Sequence, residues 1–84
     1  MTALLRFPCP FPVKALGLDS AALESVVRAV VERHARGERV EYVGRRSGGG
    51  KYLCITATFR ATSREQLDAL YAELNGHELV VMTL

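Results

Sequence analysis

A chain of 84 residues, 49% of them apolar, makes one domain with a small core and is too hydrophobic to stay disordered. Eleven Lys+Arg against nine Asp+Glu leave a formal charge of +2, too little to mark a nucleic-acid binder by itself. No apolar run approaches the ~20 residues that a membrane-spanning helix needs.

The segment from Met1 to Phe7 lacks the apolar stretch of a secretion signal. Cys9 and Cys54 stand apart and outside any Cys-x-x-Cys pair, which fits a reducing compartment and gives no support to a thioredoxin-type or metal-chaperone function. The expected location is therefore the cytosol.

Phe7-Pro8-Cys9-Pro10-Phe11-Pro12 opens the chain. Each proline fixes its own φ and drives its predecessor into an extended state. Residues 1–11 thus read as an extended, proline-rich lead-in that pairs poorly. A central strand cannot spare its amides, so the first strand is expected only from about Pro12, with Val13-Lys14-Ala15-Leu16 as its body and Gly17 as its end.

Asp19 or Ser20 caps a first helix. Leu23, Val26, Val27, Val30 and Val31 form its apolar stripe, and Arg36-Gly37 ends it. Val40, Tyr42 and Gly44 alternate with Glu41, Val43 and Arg45, the period of a half-buried strand. Ser47-Gly48-Gly49-Gly50 turns the chain back.

A long strand follows from Lys51 to Ala61, with Leu53, Ile55, Ala57 and Phe59 facing one way. Two overlapping capping boxes, Thr62 with Glu65 and Ser63 with Gln66, start a second helix. Its stripe is Leu67, Leu70, Tyr71 and Leu74, and Asn75-Gly76 closes it. Leu79 to Leu84 reads as a final apolar strand.

The order strand, helix, strand, strand, helix, strand defines an α+β, ferredoxin-like βαββαβ sandwich. It has a four-stranded antiparallel sheet with both helices on one face, strands one and three in the centre, and strands two and four at the edges.

The chain resembles the YbeD-like proteins, a small bacterial family of unknown function also called lipoate regulatory proteins. The resemblance spans nearly the whole sequence. It rests on Phe7-Pro8-Cys9-x-Phe11-Pro12-x-Lys14-x-x-Gly17, on Gly50-Lys51-Tyr52, on Thr62-Ser63-Arg64-Glu65-Gln66-Leu67-Asp68-x-Leu70-Tyr71, and on His77 with Leu84. It implies a ferredoxin-like fold similar to the regulatory ACT domains and a link to lipoate or octanoate attachment. It implies no catalytic residues, metal or cofactor.

Candidate surfaces remain. Arg45, Arg46 and Lys51 flank the triple glycine and could grip phosphate or an acidic partner, although loop cations are commonly just solvated. Gly50-Lys51 leads into a strand and not a helix, which rules out a phosphate-cradling P-loop. The face without helices should present Lys14, Leu16, Tyr52, Cys54, Thr56, Thr58 and Arg60. With a single aromatic, Tyr52, it suits packing on protein better than base stacking.

Strand four carries no charge among Leu79, Val81, Thr83 and their neighbours, whereas natural sheet edges are guarded. Either pairing in a homodimer or cover by the Phe7–Phe11 lead-in would explain it. His34 and His77 read as cations at helix ends, not as metal ligands.

An acylphosphatase-like enzyme would need a cation in the loop Gly17-Leu18-Asp19-Ser20, and none is there. The functional expectation is a non-enzymatic regulatory or adaptor domain that binds a protein, itself, or a small metabolite. The alternative is a nucleic-acid-binding module using the basic 45–51 hairpin.

Overall fold

The computed structural model describes residues 6–84. Strand β1 (Cys9–Leu18) already begins inside the proline segment and pairs antiparallel with β3 (Tyr52–Ala61) in unbroken register from Cys9↔Ala61 to Leu18↔Tyr52. This corrects the expectation of a poorly pairing lead-in up to residue 11.

The reason is parity. The carbonyls of Lys14 and Leu16 point toward β4 (Met82–Thr83), accepting from the Leu84 and Val81 amides at 2.9 and 2.7 Å. Backbone groups alternate sides along a strand, so the nitrogens of Pro10 and Pro12 point the same way. At their level β4 has no partner residue. The prolines therefore remove donors only from the unpaired side, while Cys9, Phe11 and Val13 face β3.

Helix α1 (Ala21–Ala35) starts at Ser20, not Asp19: the Ser20 hydroxyl oxygen accepts from the Leu23 N–H at 3.0 Å. It stops where Arg36 (φ 55) and Gly37 (φ 85) turn left-handed. Strand β2 (Glu41–Arg46) then pairs antiparallel with β3 from Glu41↔Thr58 to Arg46↔Leu53. Helix α2 (Arg64–Asn75) is capped by Ser63, whose oxygen accepts from the Gln66 N–H at 3.1 Å.

The sheet order is β2-β3-β1-β4, with β1 and β3 central as the sequence implies. The βαββαβ ferredoxin-like layout, with two helices against an antiparallel four-stranded sheet, is thereby established. The core lies between the helices and one sheet face. Val13, Ala15, Ile55, Ala57 and Phe59 come from the sheet, and Leu23, Val27, Val31, Leu67, Leu70 and Leu74 from the helices. Each large side chain so buried contributes roughly 1.5–3 kcal/mol of transfer free energy.

Strand four is the second correction. Only Met82 and Thr83 form β4. The segment before it is a turn: the Val80 N–H donates to the His77 carbonyl, and the Leu79 N–H donates to His77 Nδ1. These amides are used locally, and Val80 drops into the core at 7% exposure.

The turn brings the Leu79 carbonyl against β1 at Gly17, where a Cβ would stand 2.3 Å from that oxygen and 2.9 Å from Leu23 Cδ1. Gly17 is thus fixed by close approach of backbone. Leu16 is faced by two residues, its carbonyl accepting from Val81 while Met82 is its register partner. The Phe7–Phe11 segment does not cover this edge, because residues 9–11 are aligned on β3.

Candidate functional site

The open sheet face is the first candidate. Cross-strand register sets its layout: residues paired in register share a face. One row holds Val43, Thr56 and Lys14, and the next holds Arg45, Cys54, Leu16 and Met82. Tyr52 with Leu18 follows at one end, and Arg60 with Pro10 stands at the other.

Val43, Leu18 and Met82 are 58%, 53% and 46% exposed, large apolar side chains that no helix covers. Lys14, Arg45 and Arg60 are exposed beside them and enter no ion pair among the described residues. Lys51 sits over the Tyr52 ring, 5.6 Å from its centroid.

The hairpin cations do not act as one group. Pleating sends Arg45 to the open face and Arg46 to the helix face. There Arg46 Nε donates to Asp19 Oδ2 at 2.5 Å, and the Asp19 N–H donates to the Lys51 carbonyl. The carboxylate raises the already high pKa of Arg46.

The second candidate, a cleft of about 540 Å³, opens between β2 and the first half of α1. It forms because Gly44 offers no side chain, so the floor is Leu53 and Ile55. Its charges are already matched. Arg28 lies 4.2 Å above the Tyr42 ring centroid and 3.6 Å from Glu24. The Tyr42 hydroxyl donates to Glu32 at 2.7 Å. Burial, then that hydrogen bond, pushes the Tyr42 phenol well above its usual range. A charged ligand would have to break one of these pairs.

Cys9 and Cys54 are free thiols, each partly buried. Among the described residues no group of His, Cys, Asp or Glu is arranged to hold a metal ion.

Of the edge residues suggested by the sequence, Thr83 lies in β4 and bonds Asn75, Leu79 packs against the core, and Val81, just before β4, is 60% exposed.

His34 stands in the last turn of α1. Burial, then the nearby Arg33 and Arg36, lowers its pKa from the usual histidine value. Its Nε2 lies 2.8 Å from Glu73 Oε1 and must donate, because a carboxylate only accepts. Arg33 pairs with the same carboxylate, joining α1 to α2.

Sequence reasoning also missed the full role of Gln66. Its side-chain oxygen accepts from the Thr62 N–H at 2.7 Å, and its Nε2 donates to the His34 carbonyl at 2.6 Å. One residue ties the start of α2 to an otherwise unpaired carbonyl at the end of α1. The capping-box pattern pointed to Gln66 but not to its long-range partner.

These features define a ferredoxin-like α+β domain with one helix-covered and one open sheet face. Residues 2–84 match the family described as "Protein of unknown function (DUF493)". The chain is 40% identical over 82 residues to a UPF0250 protein of Chromobacterium violaceum, covering 96% of this chain and 92% of that one. It is likewise 40% identical over 84 residues to a UPF0250 protein of Yersinia enterocolitica, covering 100% and 95%. The chain therefore belongs to the DUF493 (UPF0250) family.

Among solved structures it resembles protein HP0495 from H. pylori, with TM-score 0.77 and 14% identity, covering 99% of this chain and 88% of that one. It also resembles the ACT domain from GTP pyrophosphokinase of Chlorobium tepidum, with TM-score 0.64 and 14% identity, covering 89% and 94%. At such identities these two likenesses establish the fold alone. Among the described residues no helix is long and apolar enough to cross a membrane.

Proposed function

We propose that this chain is a non-enzymatic regulatory or adaptor domain that binds another protein through its open sheet face. The observation that carries this reading is the exposed patch of Leu18, Val43 and Met82, which the fold leaves uncovered while the opposite face is sealed by helices. Leu18, Val43 and Met82 are spread over β1, β2 and β4 of this face, and large apolar side chains left on an uncovered sheet face point to an interaction surface.

An ACT domain carried by a GTP pyrophosphokinase shows a module of this fold attached to an enzyme. The domain acts in the cytosol, where Cys9 and Cys54 stay reduced. The YbeD-like resemblance supports a partner linked to lipoate or octanoate attachment. Self-association is the second arm of the proposal, through the outer side of Met82-Thr83 beside exposed Val81.

Nucleic-acid binding through the 45–51 hairpin is weaker, because Arg46 faces away from Arg45 and is held by Asp19. The test is a tagged pull-down from cytosolic extract with and without nuclease, read by mass spectrometry. Protein partners that survive nuclease are expected, a lipoate- or octanoate-transfer enzyme among them. Loss of every partner with nuclease, or none in either arm, overturns the proposal. Light scattering on the pure protein reports the dimer.

A further inference from the structure

The two sides of the molecule differ in charge balance. The open face carries Lys14, Arg45 and Arg60, with Glu41 as its one acid among the described residues. The other side mixes both signs, with Glu24, Glu32, Glu65, Asp68 and Glu73 beside Arg28, Arg33 and Arg64 on the two helices. There Glu24 and Glu73 are matched by Arg28 and by Arg33 with His34, and the Tyr42 hydroxyl donates to Glu32.

The net +2 of the whole chain thus hides a basic surface whose cations enter no ion pair among the described residues. Lys14 stands in the central strand, in the same row as Val43 and adjacent to Leu16. The cations therefore lie among the aliphatic side chains and not on a separate hairpin.

Resting on the adaptor reading, we infer that this face docks an acidic protein surface that presents aliphatic anchors. The anchors cover Leu16, Leu18, Val43 and Met82, while carboxylates meet Lys14 and Arg45. Electrostatic complementarity of this kind selects partners and speeds encounter.

The same charges argue against a second copy on this face, since stacking two such faces brings two sets of these cations together with few acids to offset them. Single-stranded nucleic acid needs ring platforms for its bases. The face offers one aromatic, Tyr52, among aliphatics and threonines.

The test uses the full chain, 15N-labelled, titrated with a synthetic amphipathic helical peptide bearing Leu on one face and Glu on the other. Its Lys-for-Glu counterpart and oligouridylate serve as the other probes. Amide shifts confined to Lys14–Leu18, Arg45, Cys54–Thr56 and Met82 are expected with the acidic peptide alone. Lys14→Glu with Arg45→Glu should weaken binding about tenfold or more, as loss of two exposed pairs and gain of two repulsions would. Raised salt should do the same in part.

Should the charge reversal disturb folding, Lys14→Gln with Arg45→Gln removes the attraction alone. The inference is overturned by no binding at about 1 mM acidic peptide, by shifts on the helices, by equal binding of the Lys peptide, or by tighter binding of oligouridylate at the same residues. Repeating the pull-down with the charge-reversed chain separates the two readings. Partners kept by the variant leave the adaptor role standing and remove this face as its seat. Partners absent from both chains remove the adaptor role itself.

Discussion

The two faces of one sheet are made from the same strands and obey different rules. Alternate residues of β1 and β3 are buried under helices or left open, and the helix side leaves no large apolar side chain of these strands exposed. On the covered side, several polar groups are matched: Gln66 with His34 and Thr62, Glu73 with Arg33 and His34, Arg46 with Asp19. On the open side, cations and aliphatics stand side by side, and Lys14, Arg45 and Arg60 enter no ion pair among the described residues. What stabilises the fold and what is free to act are thus separated by the pleat of the strands.

The largest expected effect sharpens that contrast. Leu70→Ala, at a fully buried site on α2, should cost about 2–5 kcal/mol in urea unfolding. Leu18→Ala on the open face, 53% exposed, should fall within about 0.5 kcal/mol. A loss at Leu18 comparable with that at Leu70 would mean that the open face is already covered in the free protein.

Next is Gly17→Ala, whose Cβ would meet the Leu79 carbonyl at 2.3 Å. Because the obstacle is backbone, a loss of about 1–3 kcal/mol is expected. Urea unfolding with unchanged stability would show that the 77–80 turn shifts freely.

Gln66→Leu keeps the volume but strands the Thr62 N–H and the His34 carbonyl, at an expected cost of about 1–3 kcal/mol. A double-mutant cycle with Leu70→Ala tests whether the α1–α2 clasp is independent of the core.

The smallest effect is the pH dependence of His34. Its folded pKa is depressed below 6.5, so the unfolded chain binds the proton more readily. The stability tied to neutral His34 is complete above pH 6.5 and is lost as pH falls through the lower folded value. Thermal melts between pH 7.5 and 5 should show this decline, and His34→Gln should flatten it.

The element order, the core stripes, the central places of β1 and β3, and a start of α2 at Thr62 or Ser63 were legible in the sequence. They rest on local periodicity and capping chemistry, which each segment carries within itself. The candidate surface was legible in outline, since Lys14, Leu16, Tyr52, Cys54 and Arg60 alternate out of the core by the same period.

Three features were not legible. Prolines at 10 and 12 sit inside β1 because β4 ends short of them, a fact about a strand some seventy residues away. The segment 79–81 leaves its strand because His77 captures the amide of Leu79 and the core captures Val80. Arg45 and Arg46, neighbours in sequence, part to opposite sides, and only the presence of Asp19 at the end of β1 decides that Arg46 is occupied.

The sequence by itself determined which residues are apolar, at what spacing, and where helices begin and end, because those depend on interactions over a few residues. Tertiary structure alone decided which amides could be absent, which cations were matched, and which face stayed bare. Each of these depends on what stands across a strand or helix contact from a distant part of the chain.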